Sequence, residues 1–433
     1  MPYAVLAMLL AAGPLLLFSS ALWPIGAAFA LVAIGLSIAV RWNQDVSGDE
    51  RAVLFLLLLS IVSAIVISPN WFTSLPRVLG LLFATTIFLA VRAFVRTIEQ
   101  TTVAFALLSC AGLAVGLLGL VGTDWRVEYA KVALFLPLYD RIPRLLSSVT
   151  SSQGTIPGFH PNEVAAICAV LVPVALATAL LAWKRIVTRK QYGNLLGILA
   201  LASIAVLSMY LILSVSRAAW LGLALGLAVA AFVYGRRYGL LLVAVLGIAA
   251  VALWVWVGRS IDLSGLLTTT DFLWTAESWG RPTRYQMWGR GLMLIAEHPL
   301  LGIGPNMFPI LAGFELTEPG SVPHAHNMFI QVALDFGLPG LGIFGYMLLA
   351  ALKGVRVISA TANPRRLLCA GLVGSIVTYC VFGLVDAVAV GAKPTFIPWA
   401  VLALAVSLRQ SKPSSLVLAS KPDRRNSHEV DSA

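Results

Sequence analysis

The chain has 433 residues, of which 59% are hydrophobic and 11% charged. Soluble domains carry about a quarter charged residues, so a water-facing globular protein is excluded. The formal charge of +11 does not point to nucleic acid. The basic residues sit in short clusters between apolar runs: Lys184, Arg185, Arg189 and Lys190; Arg236 and Arg237; Lys353, Arg356, Arg365 and Arg366; and the tail after Arg409. That is the bias of cytoplasmic loops between membrane spans.

Apolar runs of about 17–25 residues, the length that crosses some 30 Å of hydrocarbon, recur along the chain. The dyad alternation of a membrane β-barrel is not seen. The expected fold is therefore all-α, a polytopic membrane protein of about twelve transmembrane helices. In chain order the spans are 3–19, 22–40, 52–68, 78–95, 101–121, 162–183, 194–214, 218–235, 240–257, 327–352, 367–390 and 394–408. The first two read as an uncleaved hairpin around Trp23 and Pro24, since no basic stretch precedes them as in a signal peptide.

With the basic clusters in the cytoplasm, both termini are expected there. Two long loops, 122–162 and 258–326, then fall on the outer side. Residues 1–408 form one transmembrane domain. Residues 409–433, rich in Ser, Pro and mixed charge, are expected to be a disordered cytoplasmic tail. Cys110, Cys168, Cys369 and Cys380 lie in apolar runs without disulfide or zinc spacing, and read as core residues.

Polar groups concentrate on the outer side. Arg217 sits in a turn of almost no length between two apolar runs, L-I-L-S-V-S-R-A-A-W. A charge there is costly toward the hydrocarbon, so it marks either a site or an arginine snorkelling to headgroups. Arg284–Ile295 has helical spacing, with Tyr285, Trp288, Leu292 and Ile295 on one stripe, and Pro299 ends it. Arg281, Arg284 and Arg290 lie on or beside this helix, which fits a surface helix as well as a site. Gly302 and Gly304 lack the strand context of a phosphate-binding fingerprint. Where the second loop re-enters the membrane it reads P-H-A-H-N, Pro323 to Asn327. A neutral imidazole at His326 is suited to general-base work, and nearby arginines would disfavour its charged form. The acidic residues Glu277, Glu297, Glu315 and Glu318 are not paired as metal ligands; neither a metal nor a cofactor is expected.

Taken together, S-x-S-R-A at 214–218, R-x-x-x-W at 284–288, H-P-L-L-G-I-G-P at 298–305 and H-A-H-N with L-D-F-G-L-P-G-L at 324–341 resemble the O-antigen ligase/polymerase family of bacterial envelope glycosyltransferases. G-F-H-P-N-E-V-A at 158–165 is similar to that family's N-x-x-A helix entry. The resemblance implies an inner-membrane enzyme of lipopolysaccharide or polysaccharide biosynthesis, with its active site facing the periplasm. Its donor would be a glycan on undecaprenyl pyrophosphate and its acceptor lipid A–core or another glycan, among membrane lipids and without nucleic acid. It further implies that Arg217 and Arg284 bind pyrophosphate and that His326 is the catalytic base. Asn327 is expected at the substrate, and Asp386 matches a recurring acidic position that orients a partner. Guanidinium forks suit a pyrophosphate leaving group without a metal, and direct attack by the acceptor would invert the anomeric carbon. The acceptor is not legible, so ligase, polymerase and glycan transfer to protein stay open, with ligase preferred. A carrier, for instance of bicarbonate, is the alternative from another class.

Overall fold

The computed structural model describes residues 46–123, 125, 136–139, 141–142, 158–183, 190–260, 282–314, 324–356, 363–388, 390–392 and 395–410, with three isolated positions before these. The expected spans 3–19 and 22–40 and the tail beyond residue 410 lie outside the described residues, as do large parts of both expected outer loops.

The described chain is helical: α1 Gly48–Val66, α2 Trp71–Phe94, α3 Ile98–Gly122, α4 Leu136–Tyr139, α5 Pro161–Trp183, α6 Lys190–Ser214, α7 Arg217–Tyr234, α8 Arg236–Ser260, α9 Arg284–Glu297, α10 Phe308–Leu311, α11 Met328–Arg356, α12 Asn363–Val385 and α13 Phe396–Gln410. Among the described residues the extended pairing is a single bridge between Thr123 and Phe159. Among the described residues seven helices are long and apolar enough to cross a membrane: α2, α3, α5, α6, α7, α11 and α12. The expected spans 52–68, 240–257 and 394–408 fall on α1, α8 and α13, which are helical but outside that set. This is a multi-pass helical membrane protein.

Sequence chemistry starts these helices where they start. Ser47 with Glu50 and Thr97 with Gln100 form reciprocal capping boxes, and Asn70 accepts the N–H groups of Phe72 and Thr73, each satisfying donors that a helix leaves free in its first turn. In the bundle α5 is the most enclosed long helix. It packs against α3, α6, α7 and α12, while α13 lies against α2 and α11. Large apolar side chains stay exposed on the flanks, Leu195, Ile198 and Leu201 of α6 and Leu240, Leu241 and Ile248 of α8 among them. In water such surface would be a liability; toward lipid it is the ordinary state.

Small residues set the closest contact, that of α7 with α12. A side chain at Gly222 would meet the Thr378 carbonyl and Phe382, and one at Gly226 would meet the Gly374 carbonyl and Thr378. Four residues along α7 thus correspond to four residues back along α12, so the helices run antiparallel. Continuing that register to the start of α7 brings Arg217 level with the last turn of α12.

α11 is broken near its start. Gly337 has φ 72 and ψ −178, followed by Pro339. The turn after α9 plugs this break: Leu338 donates to the Pro299 carbonyl at 2.8 Å, and Ile303 donates to the Leu334 carbonyl at 2.7 Å. Gly302, at φ 69, passes so close to Leu334 that a side chain would run into its carbonyl. Ser63 of α1 donates to the Leu301 carbonyl at 2.7 Å and Ser74 of α2 to the Pro305 carbonyl at 2.6 Å. The glycines of this turn therefore serve backbone packing.

Candidate active site

Four stretches far apart in sequence lie toward one end of the bundle, and three of them, the start of α9, the turn at 324–327 and the end of α12, are in contact. The α6–α7 connection is only Val215 and Ser216, and it leaves Arg217 exposed at the first position of α7. Val215 takes φ 48, a left-handed conformation that a β-branched residue rarely adopts. The Tyr139 hydroxyl, reaching from the end of α4, donates to the Leu213 carbonyl at 2.7 Å. The tight turn expected around Arg217 is present, and it is held from outside.

α9 begins with a capping box of Thr283 and Gln286 and carries Arg284 in its first turn, half-buried. Its expected apolar stripe is corrected. Met287, Gly291, Leu294 and Ile295 face inward, whereas Tyr285 is 67% and Leu292 57% exposed. Apolar residues lie on both sides of this helix, and α11 selects one: a side chain at Gly291 would meet Ile330. Arg290 donates to the carbonyls of Ala312 and Leu311 at 3.0 and 3.3 Å, and so holds the short α10. Arg281 lies outside the described residues.

The third stretch is His324–Asn327. Asn327 caps α11, its Oδ1 accepting from Phe329 and Ile330 at 3.0 and 3.1 Å, and its Nδ2 donates to the Leu384 carbonyl at 2.9 Å. Both ends of the amide are thus engaged within the protein, which makes Asn327 the hinge-pin between α11 and the end of α12. His326 itself has φ 47; for a residue with a Cβ such backbone costs about 1–3 kcal/mol and clusters at functional sites.

Asp386, expected near the end of a span, follows the last turn of α12, its N–H still bonded to the Phe382 carbonyl. Its Oδ1 lies 3.0 Å from His326 Nδ1 and accepts the Ala387 N–H at 2.8 Å. The other oxygen, Oδ2, accepts from Asn162 Nδ2 at 3.4 Å, which joins the N-x-x-A start of α5 to the site. Burial pushes the Asp386 carboxyl up, but the charge and hydrogen bond of His326, with the Arg284 charge, hold it well below the usual carboxylate range. A carboxylate at Nδ1 places that ring proton on Nδ1 and leaves Nε2 of a neutral His326 bare. His326 is 21% exposed in its side chain, against 2% for His324.

Three side chains at the site have no role assigned from the sequence. His324 is 2% exposed, its ring centroid 4.3 Å from that of His326. Burial, then the neighbouring His326 charge, lowers the His324 ring well below the ordinary imidazole value, so it is neutral. Trp288, one turn after Arg284, donates its indole N–H to the His326 carbonyl at 3.3 Å. Gln331 accepts the Ala325 N–H at 2.9 Å and donates to Asp335 at 2.8 Å. Indole and amide at one helical turn from a candidate residue were the available signals.

The ligand atoms of His324, His326 and Asp386 lie within 4.8 Å of one another, close enough to share a cation. The hydrogen bonds commit them otherwise. His324 Nδ1 accepts the His326 N–H at 3.2 Å, which puts the proton of the neutral ring on Nε2, the nitrogen that faces Asp386 at 3.9 Å. A cation there would need the lone pair that this proton occupies. The donor set fits a hydrogen-bonded acid–base pair better than a metal centre.

A helical membrane bundle that gathers a buried carboxylate, a part-exposed imidazole and the level of two arginines at one end has the makings of a membrane-embedded enzyme. Residues 202–345 match the family model of the O-antigen ligases, which supports the resemblance seen in the motifs at 214–341. Arg217, Arg284, His326 and Asn327 fall within the match; Asn162 and Asp386 lie outside it. No curated protein matches the chain.

Proposed function

We propose that this protein is an O-antigen ligase-type glycosyltransferase of the bacterial inner membrane, working at the periplasmic face. It moves a glycan from undecaprenyl pyrophosphate to a sugar hydroxyl of lipid A–core. The observation that carries the reading is the His326–Asp386 pair, with Nδ1 on the carboxylate at 3.0 Å and Nε2 left as a base.

In this mechanism Nε2 takes the proton of the acceptor hydroxyl as its oxygen attacks the anomeric carbon. The new glycosidic C–O bond forms as the bond from that carbon to the pyrophosphate oxygen breaks, and the sugar inverts. Undecaprenyl pyrophosphate departs with the bonding pair. Arg217 and Arg284 bind its phosphates by charge-assisted forks and offset the charge that develops. Asp386 keeps the Nδ1–H tautomer and stabilises the imidazolium formed, as carboxylates beside catalytic histidines do. Asn327 anchors the turn that presents His326. The reaction so written uses no metal or cofactor.

A polymerase would use the same donor and groups with a repeat-unit acceptor. A carrier would need broken helices whose free backbone binds cargo. The break in α11 is satisfied by the turn at 299–303, which speaks against that alternative.

The test is transfer by purified protein supplied with undecaprenyl-pyrophosphate-linked glycan and lipid A–core, in the presence of a chelator. His326→Ala should retain donor binding and lose turnover by about 10²–10⁴-fold. Wild-type turnover in that variant would remove the base mechanism. Deletion cells should lack all long chains on lipid A–core; caps of a single repeat would instead make the protein a polymerase.

A further inference from the structure

His326 presents four polar handles, its backbone N–H and C=O and its two ring nitrogens. Three are gripped by separate parts of the chain. Asp386 holds Nδ1, the Trp288 indole donates to the C=O at 3.3 Å, and His324 Nδ1 accepts the N–H at 3.2 Å. Nε2 is the handle reserved for the acceptor. The backbone so gripped is left-handed, at φ 47, a conformation that persists only where its surroundings over-determine it.

The grip by His324 is the shortest of these in sequence. Its side chain accepts the N–H two residues on, the pattern by which Asn and Asp form Asx turns. His324 is suited to it in three ways. It is buried, so no water competes for that N–H. Its neutral ring keeps an acceptor lone pair. And the residue between is pinned as well, since Gln331 accepts the Ala325 N–H at 2.9 Å. The spacing H-A-H thus has a physical reading, one imidazole shaping the turn that aims the other.

We propose that His324 is a positioning residue of the transfer reaction, acting through the His326 backbone and neither accepting nor delivering the proton of the reaction. This rests on the reading of His326 as the base.

The isosteres decide the matter. In Asn the side-chain oxygen occupies the place of imidazole Nδ1, one bond beyond Cγ; in Gln it lies a bond further out. The experiment compares full-length wild type, His324→Ala, His324→Asn, His324→Gln and His326→Ala with the donor and acceptor above. It records kcat, the donor KM, the pH profile and thermal unfolding in detergent. His324→Ala and His324→Gln should lose about 10²-fold in kcat with the donor KM unchanged, the scale that misplacing a catalytic group costs. His324→Asn should recover most of that loss, with the acid limb of its profile where the wild type has it. If His324→Asn is as impaired as His324→Gln, the ring itself is needed and the positioning role is overturned. Wild-type kcat in His324→Gln overturns it too. In either case an inactive His326→Ala leaves the base reading standing, whereas wild-type turnover in His326→Ala removes that reading first. Should His324→Ala fail to fold, the Asn and Gln variants still decide.

Discussion

Asp386 shows how a single side chain can organise a site. Two of its neighbours are imidazoles, a third is the Asn162 amide, and the fourth is its own following N–H. Because its carboxyl is held well below the usual range, it stays ionised at neutral and mildly acid pH. Acidification should therefore lower transfer by protonating the base, not the carboxylate. Asp386→Asn removes the anion that favours imidazolium, so the acid limb of the rate profile should move to lower pH. The plateau should fall by about 10²-fold or more as the tautomer is lost. A profile that keeps its shape and height would mean that Asp386 only braces the end of α12. Arg284→Lys keeps the charge and loses the fork; turnover with donor should drop at least about tenfold while expression holds. Unchanged turnover would make Arg284 a headgroup anchor. At this scale His326 stood out as a candidate, because histidine beside a helix start is chemically conspicuous. Its partners His324, Trp288 and Asn162 were not assigned roles, since nothing in spacing alone says which nitrogen faces which oxygen.

At the scale of elements, helices were legible and their faces less so. Apolar length puts α3, α5 and α7 close to where hydropathy placed them, and a capping box also fixes the start of α3. α9 was foreseen too, but its buried face was chosen by α11 and not by its own pattern. The turn after α9 gives a direct test of packing against conformation. Gly302 and Gly313 share φ 69, yet a side chain at Gly302 would meet the Leu334 carbonyl while one at Gly313 meets open space. Gly313→Ala should cost about 1 kcal/mol, from backbone conformation alone. Gly302→Ala should cost more, by about 1–3 kcal/mol, as the Ile303–Leu334 hydrogen bond opens. Thermal melting of the two variants in detergent measures the difference, and equal melting points would show that the turn is not tightly docked.

At the scale of the whole molecule, the site needs one end of the bundle to face the periplasm. We expect α9 to lie outside and the α7–α8 connection inside, from the basic cluster at Arg236 and Arg237. A membrane-impermeant thiol reagent on intact spheroplasts should label Gln286→Cys and spare Arg237→Cys; the reverse pattern would turn the protein over and end the periplasmic assignment. The sequence by itself determined the helical membrane class, the places where helices begin, and which side chains are costly enough near lipid to demand a reason. Those follow from local hydropathy, capping and charge, which need no knowledge of neighbours. Tertiary structure decided that Asp386 meets His326, that Asn162 and Trp288 close the same cluster, and that the α7–α12 register brings Arg217 level with the last turn of α12. Those contacts join residues dozens to hundreds of positions apart. Helix crossings and the close approach of small residues determine them, and no periodicity along one strand of sequence encodes where two helices will touch.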